Sequence, residues 1–376
     1  MVDHDDIIYP GTIPFVLAHL ACFAALWTGV TAGALAICVG LYLIRMFGVT
    51  AGYHRYFSHR TFRTGRVGQF LLASLAQSSA QRGVLWWAAK HRHHHRHSDT
   101  ELDVHSPRQH GFWYSHVGWI FTRRHNDTDR DAVADLTKYP ELRWLDRHQY
   151  LPAAVLAAAA WLVAGWPGLV VGFFWSTVLL YHGTFMINSL AHVHGTQRYI
   201  TGDDSRNNWW LAVVTLGEGW HNNHHAYQRA TRQGFRWWEY DPTWYALKVL
   251  AVLHVVRDLK RPPSRLLDQA RVRDGAFDIG MFRSYWERAA RVTGERIADL
   301  SARPVAPSPE VSDTAAAAGP TAASEPGVPP GSDEQLSTLT GLITRALESA
   351  DQLAASTRRR KGTRAAPADA DAATPE

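Results

Sequence analysis

Three histidine-rich stretches constrain this chain more than any other feature. They are His54-Arg55-Tyr56-Phe57-Ser58-His59, His91-Arg92-His93-His94-His95 and His221-Asn222-Asn223-His224-His225. Packing does not call for so many imidazoles together, and a neutral imidazole is a common ligand for iron, zinc and copper. A structural zinc site uses about four ligands. The eight histidines His54, His59, His91, His94, His95, His221, His224 and His225 therefore point to two metal ions sharing one site. His91, His94 and His95 stand at i, i+3, i+4, as do His221, His224 and His225. On a helix each set shares a face and presents a short arc to one point. His54 and His59 are five apart, roughly 140° around an ideal helix of about 3.6 residues per turn, and need not serve the same ion. His93 and His97 fall off the repeated pattern and read as solvated or hydrogen-bonded surface residues.

Between these stretches the chain is apolar. From about Ile13 to Val30 it is nearly uncharged, and from Thr31 to Tyr53 it is apolar except for Arg45. Each run is long enough to cross about 30 Å of hydrocarbon. The short connection at Thr28 to Gly33 makes them a transmembrane hairpin. One very long buried helix is the rival reading, and Gly29 and Gly33 argue against it. Leu151 to Trp166 and Gly168 to Leu190 form a second hairpin, joined at Trp166-Pro167-Gly168. Gly68 to Ala80 is short and carries Gln69 and Gln77, so it reads as an interfacial helix. A span there would put the second and third boxes on opposite sides of the membrane.

Residues 1–11 carry Asp3, Asp5 and Asp6 and lack the basic start of a secretory signal. The cationic segment Arg55, Arg60, Arg63, Arg66 follows the first hairpin and places that side, with both termini, in the cytoplasm. The 16 tryptophans suit a membrane interface. Cys22 and Cys38, the two cysteines, lie in apolar runs and offer neither a disulfide framework nor a thiolate zinc site. The +5 net charge comes with no nucleic-acid-binding motif and reads as membrane-surface charge. Asn188 and His192 form a polar pair at the end of the last apolar run, a functional candidate by position.

Leu247 to Val256 reads as a helix lying on the bilayer or the domain. The expected organisation is a membrane and catalytic domain over 12–260, an amphipathic extension over 261–304 and a mostly disordered tail over 305–376. A short helix is expected at 335–350, followed by Arg358-Arg359-Arg360-Lys361, which could touch anionic lipid.

The stretches GYHRYFSHRTF, HRHHHRHSD and GEGWHNNHHAY, in this order and between two hairpins, resemble the membrane-bound fatty acyl desaturases, most closely the stearoyl-CoA Δ9 type. The resemblance covers roughly residues 10–260. It implies an all-α integral membrane fold, with four transmembrane helices in two hairpins and a cytosolic helical cap holding a dimetal site. The family's ligands match His54, His59, His91, His94, His95, His192, His221, His224 and His225, and its water-mediated asparagine matches Asn188. Val104 stands where the family usually has proline.

The resemblance further implies two iron ions and O2 as co-substrate, acting to make a cis double bond in a saturated acyl chain. Zinc can replace iron on purification, because it binds imidazole sites more tightly than ferrous iron. No flavin, haem or iron-sulfur motif is present, so a separate electron donor such as a ferredoxin or reductase is expected. A bacterial plasma membrane is the expected location.

The carrier reads first as acyl-CoA. The Arg-Asp pair of the animal acyl-CoA enzymes is matched here by Ala89 and Lys90, so an acyl-lipid or carrier-protein substrate stays open. Arg82, Arg123 and Arg124 are head-group candidates, with plain membrane-surface charge as their other reading. A di-iron membrane hydroxylase is the rival enzyme. A metal transporter is the rival outside catalysis, but transporters place their ligands within the spans.

Overall fold

Apolar segments cut off from water satisfy their backbone internally as helices, and the computed structural model, which describes residues 12–268, is built that way. The first run is α1 (Ile13–Cys22) and α2 (Ala25–Thr28), interrupted by a turn at Phe23-Ala24 where one unbroken helix was expected. Gly29 ends it at φ +75°, a conformation open to glycine. Thr31 then caps α3 (Ala32–Phe47), its hydroxyl accepting from the Ala34 N–H at 3.1 Å.

Without a loop, α3 continues as a π-helical stretch, Gly48–Ser58, that carries the first histidine box. Helix α4 (Arg66–Gln77) lies against it. A Cβ on Gly48 would sit 2.9 Å from Leu75 Cγ, and one on Gly52 3.2 Å from the Leu72 carbonyl oxygen, so the glycines permit this approach. Val67 and Leu71 of α4 face outward while Gln69, Ala73, Ala76 and Gln77 are buried.

Helix α5 (Val84–His97) carries the second box. Short turns α6 (Pro107–His110), α7 (Phe112–His116) and α8 (Ala134–Thr137) lead to α9 (Pro140–Arg147). The second apolar pair begins with α10 (Leu151–Pro167), which breaks at Ala164 and Gly165 (φ +60°). The turn therefore falls just before the Trp166-Pro167-Gly168 junction expected, because Gly165 takes the left-handed conformation. A π-helical stretch, Gly168–Trp175, and α11 (Ser176–Asn188) return the chain to a turn at Leu190–His192.

Two short helices, α12 (Trp209–Val214) and α13 (His221–Ala226), bring in the third box. Asp241 caps α14 (Pro242–Val252), accepting from the Trp244 N–H at 2.9 Å, with Pro242 at the first helical position. This helix therefore starts and stops earlier than the expected Leu247–Val256. Val256 instead joins β2 (Val256–Arg257), antiparallel to β1 (Arg63–Thr64), with Arg63 opposite Arg257. The expected segments at 1–11, beyond 268, at 335–350 and at Arg358–Lys361 lie outside the described residues.

Two of these runs, Ala32–Ser58 and Leu151–His192, are long and apolar enough to cross a membrane, and Ile13–Thr28 is a shorter apolar helix. Leu26, Trp27, Leu162 and Val163 are each at least three-quarters exposed, an apolar surface that water disfavours. Beneath the histidine boxes, Tyr53, Phe57, Leu85, Leu142 and Leu247 join the first π-helical stretch, α5, α9 and α14 in one core.

Arg45 of α3 is fully buried. Its guanidinium donates to Ser176 Oγ at 2.5 Å and Thr177 Oγ1 at 2.7 Å, and to the carbonyls of Leu41, Ser78 and Phe173. These bonds tie α3 to the second pair of helices. Arg45→Met leaves several of these oxygens without their donor and is expected to cost roughly 2–3 kcal/mol. Thermal unfolding in detergent checks this, and an unchanged midpoint would contradict the role.

Candidate metal centre

Four segments deliver the imidazoles: the first π-helical stretch and its end, α5, the turn after α11, and α13. They meet as two groups, each with ligand nitrogens lying within 4.8 Å of one another. The first is His54, His59, His91, His95 and His224; the second is His94, His192, His221 and His225. The two are neighbours, since the His95 and His225 rings are 4.5 Å apart.

This corrects one expectation. Each of the later boxes divides its histidines between two points instead of aiming at one: His91 and His95 go to the first group and His94 to the second, while His224 goes to the first and His221 and His225 to the second. His54 and His59 meet in one group despite their spacing. The cause is the local helix type, in which the His59 N–H bonds to the His54 carbonyl at 3.3 Å, an i to i+5 bond that stacks the two residues. His93 and His97 stay out of both groups, and His93 Nε2 approaches the Leu102 carbonyl at 2.8 Å.

In the first group the Nε2 atoms approach one another at 2.8 Å (His59–His91), 2.9 Å (His95–His224) and 3.0 Å (His54–His224 and His91–His95). In the second, His192 and His221 approach at 3.0 Å. Such spacings suit nitrogens about 2.1 Å from a shared ion. Burial, reinforced by neighbouring imidazoles, holds His59, His91, His95, His221 and His224 well below the usual imidazole range, so their lone pairs stay available. His225 Nε2 is buried with no hydrogen-bond partner, an orphan that a cation would satisfy.

Behind the imidazoles stand carboxylates. His94 Nδ1 donates to Asp103 at 2.9 Å, His192 to Asp99 at 2.8 Å and His225 to Asp203 at 2.6 Å, and His54 Nδ1 lies 2.6 Å from Glu218 Oε2. These bonds fix the tautomer with Nε2 bare and inward. Burial would raise the four carboxyls, but the facing imidazoles and hydrogen bonds outweigh it and hold them below the ordinary carboxylate range. Histidine spacing alone does not reveal them, because Asp203 comes from a loop and Asp99 reaches across 93 positions to His192. His105, also outside the spacing argument, packs its ring 4.5 Å from His94; burial, with His94 nearby, pushes it down to about 3.

A partly open cavity adjoins the first group. Phe15, Trp86, Trp119, Tyr181 and Phe185 make its apolar walls, and His91, His105 and Asn188 lie on its lining. Trp87, also on the lining, stacks on His91 at 5.0 Å and on Tyr53 at 5.1 Å. Gln81 bonds to Thr184 at 3.0 Å in the wall, with Ala80 and Arg82 on either side of it at positive φ. Of the cations expected at a head group, Arg82 lines the cavity and donates to Asn126 at 2.6 Å. Arg123 is exposed on the 3-10 turn Arg123–His125, outside that lining, and Arg124 lies on the same turn. Lys90 lines the cavity too, and burial lowers its ammonium below the ordinary value.

Residues 15–259 match the family described as fatty acid desaturase. An acyl-CoA 5-desaturase of Anemone leveillei is 38% identical over 252 residues, 65% of this chain and 77% of that one. A stearoyl-lipid 9-desaturase of Anabaena variabilis, acting at sn-1, is 36% identical over 258 residues, 68% of this chain and 94% of that one. A chloroplastic palmitoyl-monogalactosyldiacylglycerol delta-7 desaturase of Arabidopsis thaliana is 38% identical over 251 residues, 66% of each chain. With three histidine boxes folded into two adjoining imidazole groups beside an apolar cavity, the chain belongs to the fatty acid desaturase family.

Proposed function

We propose that this protein introduces a cis double bond, at Δ9, into a saturated long-chain acyl group carried as acyl-CoA. The observation that carries the reading is His91, which belongs to the first imidazole group and also lines the apolar cavity. A chain lying in that cavity passes directly beside the metal position. The nine histidines of the two groups are the ligands, with Asn188 reaching one ion through water. Two iron ions, when bound, supply with O2 and two electrons from a separate donor the oxidising power for removing two hydrogens from neighbouring methylenes.

The residues of this chain do the positioning. Methylenes are chemically alike, so the walls must choose the pair that reacts. Trp87 holds the His91 ring, and Gln81 with Thr184 gives the wall a polar point that a straight alkyl chain must pass. Arg82 and Lys90 put positive charge on the cavity lining, suited to a phosphate-bearing head group. The four apolar helical runs cross the membrane as two hairpins, with the metal centre and both termini on the cytoplasmic side. The acyl-lipid relatives favour a second carrier, a membrane glycerolipid, which enters the same cavity from the bilayer.

Fatty-acid profiling of a host expressing this chain is expected to show a new double bond at Δ9. A new alcohol instead would indicate hydroxylation, and metal uptake without either product would indicate transport. Purified protein supplied with labelled stearoyl-CoA or with labelled glycerolipid separates the carriers by which one is converted. In the same assay His94→Ala and His224→Ala are expected to abolish conversion and lower the metal content. His93→Ala and His97→Ala are expected to leave most of both, and equal loss in all four variants would contradict the ligand assignment.

A further inference from the structure

The carboxylates are not shared evenly between the two imidazole groups. In the four-histidine group, three members donate Nδ1–H to a buried carboxylate: His94 to Asp103, His192 to Asp99 and His225 to Asp203. In the five-histidine group one member faces a carboxylate, with His54 Nδ1 at 2.6 Å from Glu218. Glu218 also pairs with the Arg55 guanidinium at 3.0 Å, a cation it shares with Asp241, so part of its charge is directed away from the metal position. Arg92, whose charge is paired with Asp135 at 2.7 Å, donates to the carbonyls of Phe57 and Ser58 beside His59 and brings no further carboxylate to that group.

The three aspartates facing the other group are held mainly by neutral donors. Asp99 accepts from Ser106 Oγ at 2.7 Å and the Asp204 N–H at 2.8 Å. Asp103 accepts from the Asp99 N–H at 2.8 Å, and its contact with the His105 ring is longer, at 3.9 Å. Asp203 accepts from the hydroxyls of Thr201 and Ser205, both at 2.6 Å. Their negative charge is left to act through the imidazoles. A carboxylate behind a ligating histidine orients the ring and raises its basicity, and removing one typically costs 10- to 100-fold in metal affinity.

We infer that the two metal positions are unequal. The position formed by His94, His192, His221 and His225 holds its ion tightly, and the position formed by His54, His59, His91, His95 and His224 gives its ion up first. Asp99, Asp103 and Asp203 are the positioning residues that create the difference. The inference rests on the dimetal reading above.

The test is a chelation time course on purified, metal-loaded full-length protein, with EDTA as the probe and metal per chain measured as it falls. Wild type is expected to lose one equivalent quickly and the second at least about ten-fold more slowly. Asp99→Asn, Asp103→Asn and Asp203→Asn, made singly, keep an oxygen to accept the Nδ1–H while removing the charge. Each is expected to speed the slow phase about ten-fold and leave the fast phase unchanged. Glu218→Gln is expected to speed only the fast phase. A variant isolated without metal is replaced by the other two, whose slow phases decide the matter. Two equivalents leaving wild type at one rate, or a slow phase indifferent to all three aspartates, would overturn the inequality with the dimetal reading intact. Protein that never holds two equivalents would overturn that reading itself.

Discussion

The structure depends on bringing imidazoles from four distant segments to two adjoining points. Burial favours the neutral form of His59, His91 and His224, and neighbouring imidazoles discourage a second charge there. What keeps the lone pairs inward is the bond on the far side of the ring. Asp99, Asp103 and Asp203 each take one Nδ1–H, and Glu218 lies 2.6 Å from His54 Nδ1. A carboxylate buried alone would be costly; here the three aspartates are offset by their imidazoles and by backbone or hydroxyl donors, and Glu218 by His54 and Arg55.

The surrounding fold serves that convergence. The histidine-bearing end of α3 is rigid because α4 presses directly on Gly48 and Gly52, and because Tyr53 and Trp87 stack at 5.1 Å. Arg55, between two histidines, is buried against Glu218 and Asp241 and ties the first box to the third and to the cap of α14. Arg45, one helix turn before the first π-helical stretch, does the same toward the second apolar pair. The metal positions are therefore fixed by polar locks between elements as much as by apolar packing.

Much of this was legible in the sequence, for identifiable reasons. An i, i+3, i+4 histidine pattern shares one side of a helix, so it could be read that these histidines of α5 and α13 come together, though not that each set divides between two groups. His93 and His97 fail the pattern and lie outside the groups. Other features had no local signal. Nothing in Gly48–Ser58 announces i to i+5 bonding, and the ideal-helix estimate therefore set His54 and His59 apart. Neither does the spacing within α5 say that His94 and His95 join different imidazole groups, since that depends on where α13 and the turn at His192 arrive. Asp99 and Asp203 act across long sequence separations. The helix break at Phe23-Ala24 was missed, and the one at Ala164-Gly165 was placed slightly late, because the flanking residues are uniformly apolar.

The central claim is that one chain holds two metal ions side by side, one inside each ring of imidazole nitrogens. Anomalous-difference maps from crystals of the metal-loaded protein, recorded on either side of the metal absorption edge, test it most directly. The account predicts two separate peaks, one enclosed by His54, His59, His91, His95 and His224 and the other by His94, His192, His221 and His225. A single peak, or a peak away from these nitrogens, would contradict it.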